Sequence, residues 1–286
     1  MKKVLVTGAK GQLGYDVFKE LQSRDIECIG VDIEDFDITD EEATIEFIKN
    51  YYPDVVIHCA GYTLVDSAED NRDICMSVNY AGTKNIVMSC KETNSKLIYI
   101  TTDYIFDGAK TLPYEVNDEA NPLNVYGLSK YLGEKLIQKE IDNYFIVRVS
   151  WMFGHSQNNF VEAMIRLGKE KDKINVIDDQ MGSPTYTCDV ADLIIRMGMT
   201  EKYGVYHATN EGFCSWAEFA KEIMKKAELK CEINPVHSDE YESKARRPKN
   251  SRLSKQSLLV NGFTLLPSWE DALYRYIKSR ECRCAN

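Results

Sequence analysis

Near its N-terminus the chain passes from a short β-branched run, Lys3 to Thr7, into a stretch with apolar residues at helical spacing, Val17, Phe18 and Leu21. The junction reads Thr7-Gly8-Ala9-Lys10-Gly11-Gln12-Leu13-Gly14, a G-x-x-G-x-x-G spacing. Glycines at such a junction let the turn tighten and let the backbone approach a pyrophosphate at the helix N-terminus. The pattern is a variant of the G-x-G-x-x-G dinucleotide fingerprint. Asp32 ends a second predicted strand, 18 residues beyond Gly14, where a carboxylate would bond the adenosine ribose hydroxyls. Strand, glycine loop, helix, strand and acid together predict dinucleotide binding. The choice between NADH and NADPH stays open. Asp32 would repel a 2′-phosphate, whereas Lys10, inside the loop, would attract one.

The same alternation continues. Strands are predicted at Glu27–Asp32, Asp54–Cys59, Leu97–Thr101 and Tyr144–Val149, with helices at Asp40–Tyr51, Asn71–Cys90 (one or two) and Leu128–Glu140. Such βαβ units imply a parallel sheet with helices on both faces. A sheet buried on both faces explains the unbroken apolar run Val55-Val56-Ile57. Beyond Trp151 the rhythm loosens and Pro184, Pro235, Pro248 and Pro267 enter the loops. The expected fold is α/β: a Rossmann-type doubly wound parallel sheet with a smaller C-terminal substrate lobe. Residues 1–150 form the NAD(P)-binding domain, a strand and helix near 204–227 return to it, and residues 151–286 are mainly the substrate lobe.

At 286 residues the chain is long enough to bury a core without disulfide or metal staples. Acidic residues outnumber basic ones, 45 to 35, giving a net charge of −10. That balance argues against a nucleic-acid partner, which selects a basic face. No apolar run nears the ~20 residues of a membrane span, and the N-terminus has no signal-peptide core, so a cytoplasmic protein is expected. The nine cysteines cannot all pair within the chain. Cys28, Cys59, Cys75 and Cys90 read as small buried hydrophobes in a reducing compartment, and Cys282 and Cys284 as part of a frayed tail. No two of His58, His155, His207 and His237 have metal-ligand spacing, and no metal is assigned.

Tyr126-Gly127-Leu128-Ser129-Lys130 places a tyrosine and a lysine four apart, on one helix face. An ammonium nearby is expected to favour phenolate and lower the tyrosine pKa. The tyrosine could then protonate a carbonyl oxygen as hydride reaches carbon, with the Thr102 hydroxyl holding the same oxygen. The pair falls between predicted strands four and five, beside the ligand crevice of such a sheet.

T-G-x-x-G-x-x-G with Y-x-x-x-K resembles the extended short-chain dehydrogenase/reductase superfamily. Thr102-Asp103-Tyr104-Ile105-Phe106-Asp107-Gly108, Arg148-Val149-Ser150-Trp151-Met152-Phe153-Gly154 and Arg247-Pro248-Lys249-Asn250-Ser251 narrow the resemblance to the dTDP-4-dehydrorhamnose reductase family. It implies NADPH- or NADH-dependent reduction of a dTDP-sugar ketone at C4, with Thr102, Tyr126 and Lys130 as catalytic residues. It also implies that Gly8, Gly11, Gln12, Leu13 and Gly14 hold the pyrophosphate, with Asp37 and Ile38 beside the adenine. Ala60, Gly61 and Tyr62 would pass under the cofactor, and Tyr126 and Lys130 would also touch it. Tyr104 and Trp151 would flank the sugar, and Arg247 and Asn250 would lie on the substrate side. Asn79 is expected to support the active site as a buried amide.

Some members of that family dimerise through carboxylates and magnesium. Asp16 and Asp189 are the nearest matches, read here as surface charges, and a homodimer is left open. Two other functions share this fold. A non-catalytic regulatory subunit of the methionine adenosyltransferase type would have less need of the Thr102-Tyr126-Lys130 set. A nucleotide-sugar epimerase or dehydratase is the other; a dehydratase would want an acid pair after Thr102, and Asp103 is followed by Tyr104.

Overall fold

The computed structural model describes residues 2–155 and 158–284, with the side chains of 281–284 excluded. Six strands make up the main sheet: β1 (Lys3–Thr7), β2 (Glu27–Val31), β3 (Val55–His58), β4 (Lys96–Thr102), β5 (Tyr144–Val149) and β10 (Gly204–His207). They are all parallel and lie in the order β10-β5-β4-β3-β1-β2. Because β2 and β3 flank β1, the strand order reverses there, and a crevice opens beyond the C-terminal ends of β1 and β3. The fold is the expected Rossmann-type doubly wound sheet.

Successive strand residues point to opposite faces, and each face is covered. Val4, Val6, Val55, Ile57 and Ile98 pack with Leu13, Val17 and Leu21 of α1 (Gln12–Ser23) and Leu193 and Ile194 of α8 (Thr187–Gly198). Leu258 of α10 (Gln256–Val260) joins the same core. Leu5, Val56, Leu97 and Tyr99 face the other way. They meet Ile48 of α2 (Glu41–Tyr51), Ile86 and Val87 of α5 (Thr83–Thr93) and Ile137 of α6 (Val125–Glu140). A third core contains Phe153, Ile165, Phe219, Trp269 and Tyr276. It is built by α7 (Phe160–Glu170), α9 (Trp216–Lys226), α11 (Trp269–Cys284) and the parallel pair β7 (Lys173–Ile177) and β12 (Glu232–Val236). Two short pairs complete this region: β6 (Met152–Phe153) with β9 (Thr185–Tyr186), and β8 (Met181–Gly182) with β11 (Cys214–Ser215). β10 thus completes the main sheet, whereas α9 packs in the third core.

Two local differences from the sequence reading matter. The helix expected over Asn71–Cys90 is divided into α4 (Arg72–Met76), a π-helical segment Ser77–Gly82 and α5, preceded by α3 (Val65–Asp70). An i→i+5 segment inside a helix re-aims the side chains it carries, and here it carries buried Asn79. The frayed tail is also corrected. Cys282 and Cys284 lie on the helical backbone of α11, which is anchored by buried Trp269, Leu273 and Tyr276; their side chains lie outside the described residues.

Candidate active site

A cleft of about 800 Å³ opens at the C-terminal ends of β1, β3, β4 and β5. Its floor is the glycine loop. Gly11 precedes α1 without a side-chain cap, so the first-turn amides of α1 face the cleft without a competing protein oxyanion. Gly8 has φ +67°, and a Cβ there would sit 2.7 Å from the Ala60 nitrogen; one on Gly14 would sit 2.1 Å from the Gly8 oxygen. Only glycines allow this approach of loop, helix and β3 loop. Gln12, Leu13, Ala60, Gly61 and Tyr62 line the same cleft, as do Asp32, Asp37 and Ile38 at its far end. The Gln12 Oε1 atom is buried with no hydrogen-bond partner among the described residues. A cradle of this shape, an uncapped helix start and an orphaned buried amide oxygen fit a dinucleotide.

The reactive groups meet at the other end. Thr102 ends β4, and Tyr126 opens α6, whose N-cap Asn124 accepts a hydrogen bond from the Gly127 amide at 2.8 Å. A Cβ at Gly127 would lie 2.2 Å from the Tyr104 oxygen, so glycine here lets α6 start against the β4 loop. Thr102, Tyr104, Tyr126 and Trp151 all line the cleft. Tyr104 and Tyr126 meet edge to face, with centroids 6.2 Å apart. Lys130, one turn further along α6, is 5% exposed and lies behind the cleft wall: its Nζ is 4.1 Å from the Tyr99 ring centre, and a Cβ on Gly61 would be 3.8 Å from it.

Asn79 binds these parts together. Its Oδ1 accepts from the Tyr62 amide at 2.7 Å, and its Nδ2 donates to the Tyr62 carbonyl at 3.0 Å and Ser129 Oγ at 2.9 Å. The loop at 60–62 and the Tyr126–Lys130 turn are therefore held by one buried amide.

A family model described as RmlD substrate binding domain matches residues 1–282. The dTDP-4-dehydrorhamnose reductase of Aggregatibacter actinomycetemcomitans is 37% identical, over 96% of this chain and 97% of its own length. The chain belongs to the dTDP-4-dehydrorhamnose reductase family. The spore coat polysaccharide biosynthesis protein SpsK of Bacillus subtilis is also 37% identical, over 99% of this chain and all of its own. A dTDP-4-dehydrorhamnose reductase from Bacillus anthracis, solved in complex with NADP, is similar with a TM-score of 0.95 and 41% identity. That match covers 98% of this chain and 100% of the other.

Within this reductase-family cleft, burial sets the ionisation. Desolvation pushes the Tyr126 hydroxyl well above the ordinary phenol range; the Asp103 charge adds to this and a hydrogen bond with Thr102 opposes it. The lowered tyrosine pKa expected from the sequence is thus reversed, because burial of the hydroxyl is the dominant cause. Burial pushes Lys130 down to about 7, with Glu134 opposing. Asp103 also lines the cleft, 3% exposed; burial raises it to about 7, against hydrogen bonds that include Ser251 and Thr102.

Two expected substrate-side residues lie away from the cleft lining. Arg247 grips Asp66 with both Nη atoms, at 3.0 and 2.6 Å, and also hydrogen-bonds Tyr104. Asn250 donates to the carbonyls of Lys110 and Leu112 and accepts from Arg252. Asp189 pairs with Arg275 at 2.7 Å and accepts from Asn210 at 2.8 Å, and Asp16 accepts from Thr187. The sequence reading missed Trp216, which lines the cleft. The S-x-x-E cap Ser215–Glu218 marks the helix start, but no spacing ties its first residue to a site so far away in sequence.

Proposed function

We propose that this chain is an NAD(P)H-dependent reductase of the C4 ketone of dTDP-4-dehydro-L-rhamnose, giving dTDP-L-rhamnose, with Tyr126 as proton donor. The observation that carries this reading is the position of Thr102 and Tyr126 in the same cleft as the glycine loop, with Lys130 directly behind. The reduced nicotinamide, when bound, supplies the hydride. Gly8, Gly11, Gln12, Leu13 and Gly14 hold its pyrophosphate, Asp32 the ribose, Asp37 and Ile38 the adenine side, and Ala60, Gly61 and Tyr62 the underside.

Reduction needs a tyrosine that still carries its proton at neutral pH. A hydroxyl held above the ordinary phenol range meets that need, and Tyr126 gives this proton to the C4 oxygen as charge develops there. Thr102 hydrogen-bonds the same oxygen. Lys130, with its ammonium near 7, sits one turn away and releases a proton readily enough to restore the phenol afterwards. Tyr104 and Trp151 border the sugar. Arg247 acts through its hold on Tyr104, and Asn250 by clamping the loop at 110–112.

Tyr126→Phe tests the donor directly. The ring still packs, so reduced-cofactor affinity should stay at the wild-type value while turnover with dTDP-4-dehydro-L-rhamnose falls roughly 10²–10⁴-fold. Near-normal turnover would refute the assignment.

A further inference from the structure

Helix α6 carries both Tyr126 and Lys130, so whatever fixes its first turn fixes the phenol in the cleft. Its N-cap, Asn124, is 6% exposed, and both ends of its side-chain amide are engaged. Oδ1 accepts from the Gly127 amide at 2.8 Å, which is the cap itself. Nδ2 donates to the carbonyl of Arg246 at 2.9 Å, 122 positions away in the chain. An amide N–H can only donate and a carbonyl can only accept, so the two contacts fix which way the side chain lies. A cap needs only the acceptor, and serine or aspartate would supply one as well. The amide nitrogen serves the second contact.

Segment 244–247, which offers that carbonyl, is seated on α3. Asp66 accepts from the Ala245 amide at 3.0 Å as well as from both Arg247 Nη atoms, and Lys244 pairs with Asp70 at the end of the helix. Helix α3 in turn holds the start of α6, because Glu69 Oε1 accepts from the Val125 amide at 2.8 Å. The contacts close a triangle of α3, segment 244–247 and the first turn of α6. Tyr126 follows directly on Asn124 and Val125, the two residues at the corner where the triangle meets α6. The bond from Asn124 Nδ2 to Arg246 joins the segment to the helix that carries the phenol. The same segment reaches the cleft at a second point, where Arg247 hydrogen-bonds Tyr104.

We propose that Asn124 is a positioning residue for the reduction: through its bond to Arg246 it makes the aim of Tyr126 depend on segment 244–247 being seated against α3. This rests on the reductase reading above. Without the bond the helix is still capped, but its first turn, with the phenol on it, is free to shift relative to Thr102. Exchanging one good cap for another costs little stability, whereas a reacting group displaced by about 1 Å costs up to roughly 10²-fold in rate. A cap that is only structural and a cap that also aims Tyr126 therefore differ in what their replacement does.

Asn124→Ser and Asn124→Asp both keep a capping oxygen and lose the donor to Arg246. In each, kcat for dTDP-4-dehydro-L-rhamnose should fall roughly 10–100-fold. Affinity for NADH, and the melting temperature of the serine variant, should stay near wild type. In a Tyr126→Phe background the same substitutions should cost almost nothing further, because a residue that acts through the phenol has nothing left to aim. Hydrogen–deuterium exchange of the unliganded protein should quicken together at 125–130 and at 244–247 in both variants. An unchanged kcat overturns the proposal, as does a loss that persists in full in the Tyr126→Phe background. Exchange that quickens at only one of the two segments overturns it as well. If one variant does not fold, the other decides. A wild-type protein that fails to reduce the ketone refutes the reductase reading, and paired exchange then still leaves the coupling of segment and helix standing.

Discussion

Arg148 is the residue whose loss follows most directly from its contacts. It lies on β5 with its side chain 6% exposed, paired with Glu134 of α6 at 1%. Its Nη2 donates to Glu134 Oε2 at 2.7 Å, and its Nε lies 3.2 Å from both carboxylate oxygens. Its Nη1 donates to the Val116 carbonyl at 2.9 Å and lies 3.3 Å from His207 Nε2. Since His207 Nδ1 faces the Ser254 carbonyl at 3.0 Å, that nitrogen must carry the proton, and Nε2 accepts from Arg148. Arg148→Met keeps the length and removes every one of these donors. Breaking a buried ion pair by taking one partner costs about 3–5 kcal/mol, because the other charge stays behind without compensation. The Val116 carbonyl and His207 Nε2 are orphaned as well, which places the expected loss near the top of that range. For a chain of this size the melting temperature should fall on the order of 10 °C. The stranded Glu134 would have its pKa raised in the fold, so the variant loses stability as pH rises; the deficit against wild type should be larger at pH 8 than at pH 5. Glu134→Leu combined with Arg148→Met removes both charges and should recover much of the loss. Urea unfolding of wild type, the single variant and the double variant at both pH values measures this. A single variant that costs less than about 1 kcal/mol, or a double variant worse than the single, contradicts the reasoning.

Acid should destabilise the protein through its buried imidazoles. Burial, with the Arg148 charge second, pushes His207 down to about 3, whereas the unfolded chain takes up that proton near 6.5; the stability this represents is present above 6.5 and is lost as pH falls toward 3, at about 1.4 kcal/mol per pH unit. His58 behaves alike, and Asp103, raised to about 7, opposes them by gaining stability on acidification. His207→Gln should therefore flatten the pH dependence between 6.5 and 5 by about one residue's slope, and an unchanged slope in urea titrations would contradict it. At the cofactor end, Lys10 Nζ is engaged by Glu34 at 3.1 Å, and its amide donates to Asp32. Glu34→Gln frees that ammonium for a 2′-phosphate, so the ratio of NADPH to NADH affinity in fluorescence titrations should rise by a factor of a few; no rise would place Lys10 away from the adenosine.

The features legible in the amino-acid sequence are those that local spacing encodes. β5 is legible to the residue, Tyr144–Val149, and β1 through β4 to within one residue at either end, because a strand buried on both faces leaves a continuous apolar signature between turn residues. The glycine loop is legible because three glycines at fixed spacing serve one backbone path. The π-helical segment is not. Ser77–Gly82 has no local signature that sets it apart from its neighbours, and the bonds its Asn79 makes, to both backbone groups of Tyr62 and to Ser129, run to residues distant in sequence. The rise of the Tyr126 hydroxyl is hidden for a related reason. The i,i+4 lysine is visible in sequence, but the hydroxyl is raised by burial in the folded cleft, to which the charges of Asp103 and Tyr104 on another element add. Arg247 is expected on the substrate side from the family resemblance and its charge, and its bidentate partner Asp66, 181 residues away, has no signature in the sequence around it.

Trp151 shows where such legibility stops and why. Its position after β5 predicts a place at the cleft, and the structure has it there. Its handedness, φ +46°, has no local signature, since nothing in Ser150-Trp151-Met152 favours a positive φ. The conformation is held by the Thr185 amide, by the missing side chain of Gly182 and by the indole of Trp216, three contacts that come from beyond residue 180. The strain is therefore a property of how the later segment docks. Loosening that docking, rather than changing Trp151, is what would let the backbone relax and the wall of the cleft move.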